Sequence, residues 1–167
     1  LHSSEVYELA TGSAGIGIIG RDVAVDWAQV QATRQSVSDK LTGGVRALMR
    51  ANRISVVEGE ARFTGPKTVT AGGKDFRPDK IIIAVGSRPV LPGIPGLRDC
   101  PAVIDSIGGL TLDHIPESMV VIGGGVIGVE LGSVYRRFGS KVTVLELQPR
   151  ILPQMDGGLA GLAKAQL

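Results

Sequence analysis

"VVIGGGVIGVELGSVYRRFGSKVTVLE", residues 120–146, is the stretch that decides how this chain folds. Extended back through Ser118 and Met119, its opening is a short apolar strand. Gly123, Gly125 and Gly128 follow with the spacing G-x-G-x-x-G, between a strand and a helix, the setting that gives the spacing meaning. Gly123 permits a sharp turn out of the strand, Gly125 removes the Cβ where a pyrophosphate would approach, and Gly128 lets the helix lie close on the strand. Ile127, Leu131, Val134 and Phe138 recur at spacings of four, three and four, which predicts the helix face packed on the sheet. Gly139 ends the helix as a C′ residue would. "KVTVLEL" is then a second strand, with Glu146 at its C-terminal end.

A strand–turn–helix of this kind leaves free N–H groups and the positive end of a helix dipole facing the turn, where a diphosphate binds. Glu146 stands eighteen residues after Gly128. A carboxylate there accepts hydrogen bonds from both hydroxyls of an adenosine ribose and repels a 2′-phosphate, so NAD is favoured over NADP. The plainer alternative is an acid that only solvates a strand end. Glu130 lies in the first turns of the helix, where the dipole favours a carboxylate. It also points toward where the far half of a dinucleotide would extend, and the residues leave both roles open.

A second match to the glycine spacing, Gly15, Gly17 and Gly20 in "GIGIIG", fails the same test. Polar, helix-like "VYELATGSA" precedes it and extended "RDVAVDW" follows, so neither the strand nor the helix is there. It is expected to be a loop.

The 167 residues suffice for one domain or parts of two, and 43% hydrophobic content fits a packed core. A net charge of +2, with no basic run beyond Arg136 and Arg137, argues against nucleic acid. The longest apolar run, "IIIAV" at 81–85, is far short of the about 20 residues that span a bilayer, so no membrane is expected. Cys100 is the single cysteine, which excludes a disulfide framework, a thiolate zinc site and an internal dithiol pair. It reads as a loop thiol between Asp99 and Pro101. His2 and His114 have no matching acid or nucleophile and suit surface or capping roles, so no metal site is expected. An opening "LHSSE" without Met predicts a natural start further upstream.

Elsewhere, "SSEVYELA" (3–10) suggests the tail of a helix, followed by a loop to about Asp22. Asp26 with Gln29 resembles a capping box that starts a long helix toward Arg53. Val30, Val37, Leu41, Val45 and Leu48 give it one apolar stripe. Gly43 and Gly44 interrupt it, as a kink or a close packing contact. "ISVVEGEARF" (54–63), "KTVT" (67–70) and the turn in "AGGKDFRPDK" predict a small antiparallel meander. The unbroken run in "KIIIAV" suits a strand buried on both faces. Prolines 89, 92, 95 and 101 make an extended connector. From Ser118 the pattern becomes β-α-β, with a boundary near 110–117.

Taken in order, "LTGG" (41–44), "EGEARF" (58–63), "DKIIIAVGSRP" (79–89) and residues 120–146 resemble the dihydrolipoamide dehydrogenases, within the FAD-dependent pyridine nucleotide–disulfide oxidoreductases. The resemblance covers nearly the whole chain. It implies an α/β fold of incomplete FAD/NAD-binding Rossmann-like domains, with a small antiparallel β-meander inserted in the FAD part. Residues 1–113 would be the later part of the FAD-binding domain and 114–167 the start of the NAD-binding domain. Gly123, Gly124, Gly125, Val126, Ile127, Gly128, Val129 and Glu130 would form the NAD turn, with Glu130 toward the nicotinamide side and Glu146 on the adenosine ribose. Ala61 would meet FAD near its adenine, and Val85, Gly86 and Ser87 would pass close to it where the family usually writes "TGS". Val85 departs from that threonine and puts only a hydroxyl contact in doubt.

The family's own FAD fingerprint and its redox cysteine pair are missing, as are the C-terminal His–Glu pair and the dimer-forming domain. The chain therefore resembles an internal piece that carries no catalytic residue. The parent would oxidise dihydrolipoamide, carried on lipoyl domains of 2-oxo acid dehydrogenase complexes, through a disulfide and FAD to NAD⁺. It would be a homodimer of the bacterial cytoplasm or the mitochondrial matrix. Rival expectations are a related flavoenzyme such as a mercuric reductase or NADH oxidase, a stand-alone nucleotide-binding module, and an interaction scaffold.

Overall fold

The fold was obtained as a computed structural model, which describes residues 1–166. Contacts divide the chain into two compact units, Leu1–Thr33 with Pro89–Leu167, and Arg34–Arg88.

In the first unit, helix α1 (His2–Gly12) runs into a short 3-10 turn at Ser13–Ile16. The failed glycine motif lies in and after that turn, with a helix before it and irregular chain from 18 to 26. Helix α2 (Trp27–Ala51) begins where Asp26 Oδ1 accepts the Gln29 N–H at 2.9 Å. Only half the expected capping box forms, because the Gln29 amide turns forward to Thr33 Oγ1 instead of back to the cap.

The second unit holds the rest of α2 and the meander. α2 runs unbroken through Gly43 and Gly44, and a Cβ at either would meet nothing within 4 Å, so no close packing contact explains them. The apolar stripe is present but uncovered: Val37, Leu41, Val45 and Leu48 are all exposed. Strands β1 (Arg62–Gly65), β2 (Thr68–Ala71) and β3 (Lys74–Phe76) form the expected antiparallel meander. The first piece, expected over 54–63, is strand only from Arg62; residues 54–61 are irregular because no neighbouring strand among the described residues pairs with them. The expected strand in "KIIIAV" does not form. Residues 77–94 are irregular, and Ile82 is 91% exposed. A doubly buried strand needs ladder partners beside it and layers on both faces; among the described residues none pairs with this run.

The remainder of the first unit carries α3 (Ser106–Leu110), β4 (Ser118–Ile122), α4 (Val126–Arg137), β5 (Lys141–Leu145) and α5 (Gly157–Ala165). β4 and β5 pair in parallel from Ser118↔Lys141 to Ile122↔Leu145, so the predicted β-α-β unit is present. Burial alternates along both strands: Met119, Val121, Val142 and Val144 face inward, while Val120, Ile122 and Leu145 are exposed. A Schellman motif ends α4, with Gly139 at φ +101 and the N–H groups of Gly139 and Ser140 donating to Arg136 O and Tyr135 O, each at 3.0 Å.

The sheet-facing row of α4 differs from the predicted stripe. Ile127 is 60% exposed. The residues that approach the sheet are Gly128 and Gly132; a Cβ on Gly132 would lie 3.4 Å from Val142 Cγ1 and 3.8 Å from Val121 Cγ2. Phe138 is buried as expected, but against rings: Trp27 meets it edge-on at 5.4 Å and Tyr7 lies 5.8 Å away. Tyr135, 1% exposed, donates its hydroxyl to Gly109 O at 2.6 Å. The Trp27 indole N–H donates to Leu112 O at 2.9 Å. Each such ring pair adds about 0.5–1.5 kcal/mol beyond its burial, so the few aromatics fix α1 and the start of α2 against α4.

Candidate functional site

The site is built by the end of β4, the start of α4 and the end of β5. Gly123 leaves the strand at φ +112, a left-handed value that a side chain resists, while its N–H still donates to Leu145 O at 2.8 Å. Gly124 is buried. Its N–H donates to Glu146 Oε2 at 2.7 Å, and its C=O accepts from the Leu152 N–H at 2.7 Å. Gly125 is the N-cap of α4 in extended backbone, and no side chain caps the helix. A Cβ on Gly125 would meet nothing within 4 Å. A Cβ on Gly128 would fall 2.1 Å from Gly123 O and 3.0 Å from Val121 Cγ1, so only glycine lets the helix sit this close to the turn. An uncapped helix mouth with an open approach is able to take an anion.

Glu146 follows the last residue of β5 and is half-buried. Its Oε1 accepts the Gln148 N–H at 2.8 Å and its Oε2 accepts that of Gly124. Hydrogen bonds from Gln148 and then Gly124 hold its carboxyl below the usual glutamate range. A carboxylate offers about four acceptor positions, so lone pairs remain for a further donor.

The turn thus brings Gly123, Gly124, Gly125, Val126, Ile127, Gly128, Val129 and Glu146 into one neighbourhood. Glu130 is exposed on α4, in the turn after the helix mouth. Ala61 directly precedes β1, and Val85, Gly86 and Ser87 lie in irregular chain; all four belong to the second unit and are exposed. Sequence reasoning missed Leu152 and Ile151, whose contacts with Gly124 come from a segment without periodicity or motif. It also missed that Asp113 stands beside His114, an exposed 2.5 Å contact whose hydrogen bond lowers the Asp113 pKa. Cys100 is exposed, as a loop thiol would be. Among the described residues there is no group of three or more His, Cys, Asp or Glu able to hold a metal, and no helix long and apolar enough to cross a membrane.

Residues 2–167 match the family model for pyridine nucleotide-disulphide oxidoreductases. The dihydrolipoyl dehydrogenase of Geobacillus stearothermophilus is 40% identical over 171 residues, covering 100% of this chain and 36% of that protein. That of Bacillus subtilis is 37% identical, with the same coverage of both. The HOCl-induced flavoprotein disulfide reductase RclA from Escherichia coli has a similar solved structure, with a TM-score of 0.71 at 31% identity over 85% of this chain and 33% of that one. The chain spans about a third of the length of these relatives. With the family match running through the glycine turn and both units, this chain belongs to the pyridine nucleotide-disulphide oxidoreductases.

Proposed function

We propose that this chain is part of a flavoprotein dihydrolipoamide dehydrogenase, to which it contributes the NAD turn and some contacts to FAD. The observation that carries this is the pairing of an open, uncapped α4 mouth with Glu146 at the end of the adjacent parallel strand. The residues fit a dinucleotide. Space beyond Gly125 is open where a diphosphate would approach, and the helix dipole favours negative charge there. Glu146 keeps lone pairs for the two ribose hydroxyls while its charge disfavours a 2′-phosphate. Glu130 would lie on the nicotinamide side. Ala61, Val85, Gly86 and Ser87 would line FAD chiefly through backbone groups.

Bound in the longer protein, FAD and NAD⁺ would supply the redox chemistry, a relay of electrons from a dithiol to a hydride acceptor. This chain's residues orient: the turn fixes the diphosphate, and Glu146 selects the sugar. None of them moves a proton in the reaction. The division at 113/114 is proposed as the boundary between the two cofactor domains of the longer protein. The exposed apolar residues Ile82, Ile83 and Val85 fit a piece of a longer protein, the rest of which would cover them. Dihydrolipoamide on lipoyl domains would be the substrate, and the parent a homodimer in bacterial cytoplasm or mitochondrial matrix.

A second reading, another flavoprotein disulfide reductase, is favoured by the likeness to the Escherichia coli enzyme. One assay separates the two. The full-length protein should reduce NAD⁺ with dihydrolipoamide, followed as NADH absorbance, and respond weakly to NADP⁺. Absence of dihydrolipoamide turnover, with NADH oxidised by another disulfide, would favour the second reading.

A further inference from the structure

The loop that follows Glu146 closes back on the glycine turn. Gly124 has both polar groups engaged, one by Glu146 and one by the Leu152 N–H. A Cβ on Gly124 would stand 2.9 Å from Ile151 Cγ2, so the loop also packs on its α-carbon. Leu152, 7% exposed, is held at φ +50. Leucine rarely adopts such a value, and it persists only where the surroundings over-determine it.

Those surroundings include Arg150. Its Nη2 donates to Met155 O at 2.9 Å and to Pro153 O at 3.2 Å, while the Met155 N–H donates to Leu152 O at 2.9 Å. The loop is anchored at both ends: Gln148 binds Glu146, and Asp156 caps α5 through the Gly158 and Leu159 N–H groups. A Cβ on Gly157 would fall 2.6 Å from Arg150 Nη1, so glycine there leaves room for the guanidinium.

Resting on the dinucleotide reading above, we propose that residues 147–156 form a strap that presets the turn for NAD, with Arg150 as its positioning residue. Arg150 acts through Leu152 and Gly124 and touches no nucleotide. It is exposed, so its removal loosens the strap without opening the core. A turn held in its binding shape spares the nucleotide the cost of ordering it.

The test uses the full-length flavoprotein, with NAD as the probe in an equilibrium titration and in steady-state kinetics. Arg150→Ala should raise the NAD Kd and KM about fivefold, with kcat, flavin content, thermal midpoint and the dihydrolipoamide KM unchanged. Gly157→Ala, which crowds the guanidinium, should move the NAD Kd in the same direction. Arg150→Lys, which keeps a cationic donor for the two carbonyls, should restore it to within about twofold. An unchanged NAD Kd in Arg150→Ala would overturn the strap alone. So would a loss spread over both substrates with a lowered thermal midpoint, which marks a merely structural role. A wild-type protein that binds no NAD would overturn the strap together with the reading on which it rests.

Discussion

The Gly124 N–H donates to Glu146 Oε2 at 2.7 Å, tying the middle of the glycine turn to the acid that follows the second strand. Glu146 therefore holds the turn itself. In the full-length protein, Glu146→Ala should weaken NAD binding roughly tenfold or more, because it removes the proposed ribose acceptor and orphans the buried Gly124 N–H. Glu146→Arg should shift preference toward NADP. Titration with both nucleotides measures this, and unchanged discrimination in both variants would sink the ribose assignment.

Acid should act on the same contact. Hydrogen bonds from Gln148 and Gly124 depress the Glu146 pKa in the folded protein. For a lowered carboxyl pKa, the stabilisation is fully present above the ordinary glutamate value of about 4.3 and is lost as pH falls through the depressed one. NAD affinity should then be flat with respect to this group from about pH 6 to 8 and decline only as pH falls below the ordinary glutamate range. Glu146→Gln, which cannot titrate, should lack that acid limb when Kd is measured against pH.

Two glycines on one face of α4 should respond differently to the same substitution. At Gly128 an alanine Cβ would run into Gly123 O at 2.1 Å, a backbone atom with little freedom to move. Gly128→Ala should cost about 1–3 kcal/mol or displace the helix, and NAD binding with it. At Gly132 the nearest atom is a valine methyl at 3.4 Å, and alanine gains about 1 kcal/mol of helix propensity over glycine. Gly132→Ala should leave the thermal midpoint and NAD Kd near wild type.

That contrast also explains which parts of the fold were legible in the sequence. The β-α-β unit could be read because each of its signals is local: an apolar strand, spaced glycines, a helix and an acid. Which α4 face meets the sheet could not, because counting apolar side chains gives glycine no weight, and the closest row runs through Gly128 and Gly132. The run at 81–85 misled for the reverse reason. Its composition suits a buried strand, but a strand exists only with partners, and none of the described residues pairs with it. Contacts such as Trp27 with Leu112, or Leu152 with Gly124, join segments with no shared pattern.

Tyr135 offers a stability test away from the site. Burial raises the pKa of its phenol, and the hydroxyl donates to the buried Gly109. Tyr135→Phe keeps the ring packing against Trp27 but leaves the Gly109 carbonyl without this donor. Thermal or urea unfolding of the full-length protein should show a loss of about 1–3 kcal/mol. A variant as stable as wild type would mean that water replaces the hydroxyl.

Flavin retention tests how much of the proposed FAD site this chain can form by itself. Ligand sites bury about 70–90% of a bound molecule's surface. Here Ala61, Val85, Gly86 and Ser87 are exposed, with Val85 at 88%, and the chain around 85–87 is irregular. Backbone groups in such a segment must be ordered and desolvated before they can hold a ligand, and few apolar contacts are on hand to offset that cost. The 167-residue chain should therefore leave gel filtration colourless after incubation with FAD, whereas the full-length protein should stay yellow. A yellow 167-residue sample would show that its own residues enclose the flavin.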